Sequence, residues 1–490
     1  MAGIQADIHS DLNRDPYLEK NIDWEKDVRQ QTHKNVVITR APGRINLMGR
    51  HIDHRGGAIN VITTDKDIVF VTAPREDDVV NIANVDKVYP ERSFSIKKTL
   101  SDKQYDNWLN YLADERVIKE LKDSSGDWSN YVKSAVIKAQ FESETEICGM
   151  DMAAGGTIPI AAGLSSSSSI VVAVMEAVVA LNALNITDKE FINLCGEGEW
   201  FVGSRGGAGD HAAMKCAKKN RIVHIGFKPF EVLKDVVFSD KYAVVVANSM
   251  IKAKKSEGSK DKFNQKVAAY EFAFMLIKKL FPEYGFNQFR DIAKVRPYSN
   301  VYKILQAIPE TVTRGSIKAL LPEYADSINR IFGTHKDPGV YELRGVALYG
   351  LSECERSEKC MQLLEEGKYK EFGESMTISH NGDRLKESFA VTDEFLQTLI
   401  DTNQELSKCC GNYACSTERI DYLVDLFNET DGVLGSEIVG AGLGGCVIAL
   451  IDKEKADSVL DVINKNYYDK FGYERSAYVC DASCGSKILF

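Results

Sequence analysis

Residues 162–184 read Ala162-Gly163-Leu164-Ser165-Ser166-Ser167-Ser168-Ser169 followed by IVVAVMEAVVALNAL, and this stretch decides how the rest of the chain is read. The β-branched residues after Ser169 would suit a strand, but the length of this largely apolar stretch favours a buried helix. A Gly/Ser loop feeding a helix N-terminus gathers unpaired backbone N–H groups and the positive end of the helix dipole in one place, which suits a phosphate. Serine hydroxyls add donors and oxygen ligands for Mg2+. The plainer alternative is an N-cap followed by a core helix.

Three further glycine segments flank it. Gly440-Ala441-Gly442-Leu443-Gly444-Gly445 has the letters of a GxGxxG dinucleotide fingerprint, but that fingerprint needs a helix after the glycines, and the following CVIALID is a short β-branched run. It reads as strand, glycine turn, strand, with a backbone able to approach another loop or a ligand closely. Residues 40–54, RAPGRINLMGRHIDH, pack arginines, histidines and an aspartate into a turn-rich stretch, either a polar substrate site or a solvated basic loop. Residues 203–211, GSRGGAGDH, place Asp210 either as the N-cap of a helix HAAMKCA or as a catalytic carboxylate at a helix start. The chain has no GxxxxGK[ST] and no kinase HRD or DFG set, so P-loop and protein-kinase schemes are excluded.

At 490 residues the chain has room for two or three domains. Lys plus Arg is 61 against 71 Asp plus Glu, a net charge of −10, which gives no basic field to draw nucleic acid. The longest apolar run, Ile170–Leu184, is interrupted by Glu176 and Asn182 and is too short for a bilayer, so no membrane partner is expected. The polar N-terminus lacks the apolar region of a secretory signal, and eleven cysteines suit free thiols in a reducing cytoplasm. Cys409, Cys410 and Cys415 cluster, but no Cys or His pair follows at zinc spacing, so they read as ordinary buried thiols.

Residues 1–34 read as a surface extension, and strand-like runs then alternate with helix to about 240. From 241 onward a strand, YAVVVANS, leads into long helical segments, with late strands EIVGAG and CVIALID. The expected division is 1–34, 35–240 and 241–490. Segment 100–127 is charged and helical and is expected as a surface insertion.

Taken in order, the four glycine segments resemble the GHMP small-molecule kinases and, among them, the galactokinase branch. APGRINLMGRHIDH resembles the branch's sugar-binding signature, PIAAGLSSSSS its ATP-phosphate loop, RGGAGDH its catalytic-aspartate segment and VGAGLGGCVIALI its third motif. The stretches Trp128–Lys133, Met376–Asn381 and Cys480–Ser486 extend the likeness over nearly the whole chain. The resemblance implies an α+β, two-domain GHMP kinase fold, with an N-terminal α/β domain like ribosomal protein S5 and a C-terminal ferredoxin-like domain. It also implies an ATP-dependent kinase for the anomeric hydroxyl of a monosaccharide, with Asp210 and Arg44 catalytic and His51, Asp53 and Gly209 holding the sugar. Gly163, Leu164 and Ser165–Ser169 would cradle the ATP phosphates, and Ser166 or Ser167 would face Mg2+. The acidic metal ligand would come from GEGEWFVG, as Glu197 or, in preference, Glu199. Other members of the superfamily act on non-sugar alcohols, and some relatives in this branch are silent sugar sensors.

Where galactokinases read G-E-H-x-D-Y, this chain has Gly49-Arg50-His51-Ile52-Asp53-His54, a pattern that also resembles the galacturonokinase form. A guanidinium at the C6 pocket would pair with a carboxylate there and point to a hexuronic acid such as galacturonate. If Arg50 instead turns to solvent or to an acid of the protein, a neutral hexose remains. Asp210 is followed by His211 where galactokinases have Gln, and the segment after Ser249 lacks the usual arginine pair.

Overall fold

Val37–Met48 (β1) and Ile59–Pro74 (β2) form a long antiparallel hairpin that organises the first half of the molecule. Both strands are rich in β-branched residues and bury nearly every side chain, because helices cover one face and a second sheet approaches the other. The structure, a computed structural model, describes residues 36–490 except 102, 160–161, 204–205, 252–256 and 386–388. The expected extension over 1–34 lies outside the described residues, as do Ser204 and Arg205 of the aspartate segment.

Strands Val79–Asn84 (β3), Arg92–Ser95 (β4), Met150–Gly156 (β5), Arg221–Gly226 (β6) and Glu231–Val237 (β7) join the hairpin. So does Lys487–Ile488 (β14), which returns from the C-terminus to pair with β1. The order is β14-β1-β2-β5-β3-β4, with β6 on the start of β2 and β7 outside β6. Four helices cover this sheet: Ser129–Glu142 (α1), Ser166–Leu181 (α2), Asp188–Glu199 (α3) and Gly209–Cys216 (α4). The run IVVAVMEAVVAL is helix, as its length requires. It tolerates β-branched residues because Ser168 to Val178 are buried almost throughout, and packing outweighs intrinsic propensity. Segment 100–127 does not lie loosely on the surface. Trp108, Tyr111 and Leu112 are buried, and the Trp108 indole N–H donates to Glu197 O at 2.8 Å.

The second sheet contains Tyr242–Asn248 (β8), Val433–Ile438 (β11), Cys446–Asp452 (β12) and Ala477–Cys480 (β13), ordered β11-β12-β8-β13 and antiparallel throughout. A two-residue ladder, Thr311–Val312 (β9) with Tyr341–Glu342 (β10), stands apart among helices. The glycine segment 440–445 joins β11 to β12, as the sequence pattern required. Strands β8 and β12 are apolar through Ala243–Ala247 and Cys446–Ile451 because both faces are covered. Val244, Val246, Ile448 and Leu450 pack toward Ile45, Leu47 and Ile62 of the hairpin. Ala243, Val245, Val447 and Ile451 pack under helices Glu418–Asn428 (α8) and Ala456–Ile463 (α9). The two sheets therefore share a core. A third body of helices, including Glu257–Leu280 (α5) and Leu343–Glu365 (α6), carries its own core, which Ile52 of the β1–β2 connection joins. Among the described residues no helix is long and apolar enough to cross a membrane.

Helix Tyr369–Asn381 (α7) lies on β11 at glycine distance: a Cβ on Gly435 would stand 1.8 Å from Gly373 O. Gly435→Ala must push helix and strand apart, and the expected cost is about 1–3 kcal/mol. It is read as a lowered denaturant midpoint; an unchanged midpoint would contradict this packing.

Candidate active site

Arg44 leaves the middle of β1 with its side chain almost wholly buried, and its guanidinium grips Asp210 with two parallel hydrogen bonds, Nε to Oδ1 at 2.6 Å and Nη2 to Oδ2 at 2.7 Å. Its Nη1 donates to Gly163 O at 2.6 Å. A buried guanidinium needs this full set of acceptors, and the fork geometry fixes the carboxylate in place. Asp210 is 35 % exposed and faces the cleft from the first turn of α4, whose N-cap is Ala208, so Asp210 is not the cap.

The serine loop divides by orientation. Ser165 occupies the N-cap position of α2 with φ 57°, a left-handed conformation, and makes no cap; its hydroxyl donates to Asp210 Oδ2 instead. Ser166 and Ser167 line the cleft. The Ser168 hydroxyl donates to Glu199 Oε2 at 2.7 Å. Leu164 and Ser169 turn inward: Leu164 is core, and the Ser169 hydroxyl donates to Pro42 O at 2.9 Å while its N–H is used within the helix. The side chains of these two do not reach the cleft. Glu197 pairs with Lys138 at 2.7 Å, whereas Glu199 lines the cleft with His211 Nε2 2.9 Å from its Oε2.

The third glycine motif supports this loop rather than a ligand of its own. Gly163, at φ 81°, and Gly440, also at φ 81°, meet backbone to backbone. A Cβ on Gly163 would stand 2.6 Å from Val439 O, and one on Gly440 2.7 Å from Gly163 O. Cys446 N donates to Ala162 O at 2.8 Å, tying β12 to the same loop. Only glycine permits this approach.

Beside Asp210, the Asp53 carboxylate accepts from the Gly209 N–H and contacts His54 Nδ1, both at 3.2 Å. Burial raises its pKa, but the bonds from His54 and the Gly209 amide outweigh burial and hold it at about 2. His51 stands next to it at φ 62°, stacked on Tyr413 with ring centroids 4.2 Å apart. Burial and the nearby Arg50 guanidinium hold the His51 imidazole well below its usual pKa, so the ring is neutral.

Arg50 is 2 % exposed, and its guanidinium faces acids of the protein, although its Nε and Nη1 make no hydrogen bond among the described residues. Nη1 pairs with Asp383 Oδ2 at 2.7 Å, and Nη2 reaches Ser379 Oγ at 3.0 Å and Glu437 Oε2 at 3.3 Å. Glu353 accepts from the Gly49 and Arg50 N–H groups and from Arg356 Nε. Burial pushes the Glu437 carboxyl well up. The sequence reading missed Glu353, Asp383 and Glu437 because they lie more than 300 residues away. The only legible trace was the Met376–Asn381 segment, which carries Ser379.

These residues line a cleft of about 1190 Å³ between the two sheets. Its far end is aromatic: Trp128 and Tyr131 from the start of α1 stand opposite Val85 and Tyr89, and Tyr89 meets Trp128 edge to face at 6.0 Å. Serine-loop amides and hydroxyls thus share the cleft with an aromatic slot and a carboxylate-bearing pocket.

Comparison with known proteins agrees with this geometry. Residues 130–218 match the family described as GHMP kinases N terminal domain, residues 396–469 GHMP kinases C terminal, and residues 27–74 the galactokinase galactose-binding signature. The galactokinase of Enterococcus faecalis is 27% identical over 453 residues, covering 92% of this chain and 94% of the relative. That of Dictyostelium discoideum is 24% identical over 458 residues, covering 89% and 85%. A crystal structure of Lactococcus lactis galactokinase complexed with galactose superposes with a TM-score of 0.64 at 21% identity, covering 93% of this chain and 95% of that one. The chain has the two-domain GHMP kinase fold. Within that class its likeness is to sugar kinases of the galactokinase type.

The Arg50 network makes a direct prediction. Arg50→Met leaves Asp383 buried without its cation, at an expected cost of about 3–5 kcal/mol in urea unfolding. A loss below ~1 kcal/mol, the range of exposed ion pairs, would mean the guanidinium is not held as described.

Proposed function

We propose that this kinase transfers the γ-phosphoryl group of ATP to the anomeric C1 hydroxyl of a neutral, galactose-type hexose, releasing sugar 1-phosphate and ADP. The observation that carries this reading is Asp210, held by Arg44 and open to the cleft beside the serine loop. Asp210 accepts the C1 hydroxyl proton, or orients it, as the oxygen attacks. Arg44 fixes the carboxylate in place and offsets negative charge near the phosphoryl group. The transition state is loose, so positioning and electrostatics supply most of the acceleration. His51, Asp53 and the Gly209 amide bind sugar hydroxyls. The Gly163–Ser167 backbone and the hydroxyls of Ser166 and Ser167 hold phosphate oxygens, and the slot at Tyr89, Trp128 and Tyr131 takes the base.

An all-oxygen set suits Mg2+, and Glu199 with Ser166 and Ser167 on the same cleft wall fits it; Glu199 would hold the ion with Ser167 or Ser166. Bound there, Mg2+ neutralises charge on the β- and γ-phosphates.

The choice of a neutral sugar over a uronate rests on charge matching. The buried cations Arg50 and Arg356 already face Glu353 and Asp383, with Glu437, whose carboxyl burial pushes well up, beside Arg50. A sugar carboxylate would be a further negative charge with no unmatched cation to receive it. We place the domain boundary at 240, supported by the change of sheet between Val237 and Tyr242. The free cysteines support a cytoplasmic location.

ADP release measured with galactose, galacturonate, glucuronate, arabinose and glucose tests the reading. Galactose-type neutral sugar is expected to give the highest kcat/KM; a preference for galacturonate overturns the charge argument, and no sugar-dependent ADP at all overturns the kinase. Asp210→Asn should lower kcat by about 10²–10⁴-fold, with ATP affinity by calorimetry nearly unchanged.

A further inference from the structure

Cys415 was read from sequence as an ordinary buried thiol, since no partner follows at zinc spacing. The fold supplies partners from elsewhere. His51, after β1, and Asp383, after α7, bring their donor atoms together with the Cys415 sulfur so that all three lie within 4.8 Å of one another. We propose that His51, Asp383 and Cys415 form a binding site for a thiophilic divalent cation of the Zn2+ type, directly behind the sugar pocket.

The spacing is that of ligands. Zn2+ binds His nitrogen at about 2.0–2.1 Å and thiolate at about 2.3 Å, so tetrahedral ligands stand roughly 3.5 Å apart. His51 Nε2 and Cys415 Sγ are 3.7 Å apart. Cys415 Sγ and Asp383 Oδ1 are closer, at 3.0 Å, because the thiol donates its proton to the carboxylate. An ion that displaces this proton to solvent removes the bond and lets the pair open. Arg50 holds the other oxygen of Asp383, orienting the carboxylate and leaving Oδ1 to point at the sulfur. Mixed nitrogen, sulfur and oxygen donors favour Zn2+ over Mg2+.

The site has an approach. His51 and Gly442 both line the cleft, and a Cβ on Gly442 would stand 2.6 Å from Cys415 Sγ. Gly442, at φ 82°, packs its backbone against the sulfur at that point. Three protein ligands leave a fourth position for a water on the cleft side, an open arrangement rather than a closed structural one. An ion there engages the His51 ring. If His51 binds a sugar hydroxyl, which rests on the function proposed above, the ion and the sugar compete.

The test uses the full-length protein. Co2+ added to the metal-free wild type should give a thiolate-to-metal charge-transfer band, and Zn2+ should abolish it. Zn2+ affinity, measured by competition with a chromophoric chelator, should fall in Cys415→Ser and Cys415→Ala by more than the ~10–100-fold that outer-shell substitutions cost. No thiolate band in the wild type overturns the site without any variant, and so does equal Zn2+ affinity in wild type and variants that retain metal-free activity. Free Zn2+ should also raise the KM for the sugar in the wild type but not in the variants. Zn2+ binding that depends on Cys415 with an unchanged KM upholds the metal site and overturns the placement of His51 on the sugar.

Discussion

The bidentate pair between Arg44 and Asp210 is the constraint around which the molecule is arranged. A guanidinium this buried is tolerable only when its donors are matched, and the three matches come from different parts of the chain: two from the carboxylate on α4, one from the carbonyl of Gly163. Gly163 can offer that carbonyl because Gly440 lets the β11–β12 turn press against it. The far end of α4 is fixed as well. Ser486 N donates to Met214 O at 2.6 Å and Gly485 N to Ala217 O at 2.9 Å, so the C-terminal tail crosses both sheets and fastens the helix that carries Asp210. Both halves of the chain therefore set the position of one carboxylate.

The second constraint is the charge cluster beneath the cleft wall that carries His51 and Asp53. Replacing a carboxylate of the usual signature by Arg50 would be prohibitive in isolation. It is accommodated because Asp383 and Glu353 face the two arginines of the cluster, and burial pushes the Glu437 carboxyl well up. The substitution thus reads as a change of internal wiring. The pocket wall keeps His51 and Asp53 in place while the charge behind it changes sign at one position and is offset at others.

The chemistry of the site was legible in sequence where residues that act together are also neighbours in the chain. The serine loop, the helix behind it and the strand–turn–strand at 433–452 could be read from length, period and glycine spacing. Orientation within the loop could not: that Ser169 turns into the core while Ser166 and Ser167 face the cleft depends on the backbone turn at Ser165. The partners of Arg50 were beyond reach, because Asp383 and Glu437 are brought to it by α7 and β11, elements whose packing no local pattern encodes. Trp108 shows the same limit. Its charged surroundings suggested a surface insertion, yet its ring is buried and its indole binds the last turn of α3.

If the Arg44–Asp210 pair acts as one unit in phosphoryl transfer, the two residues must be coupled in turnover. A double-mutant cycle on kcat with Arg44→Met, Asp210→Asn and the double variant measures that coupling. The account predicts strong non-additivity, with the double variant losing little more than the worse single one. Losses that simply multiply would show two independent residues and contradict it.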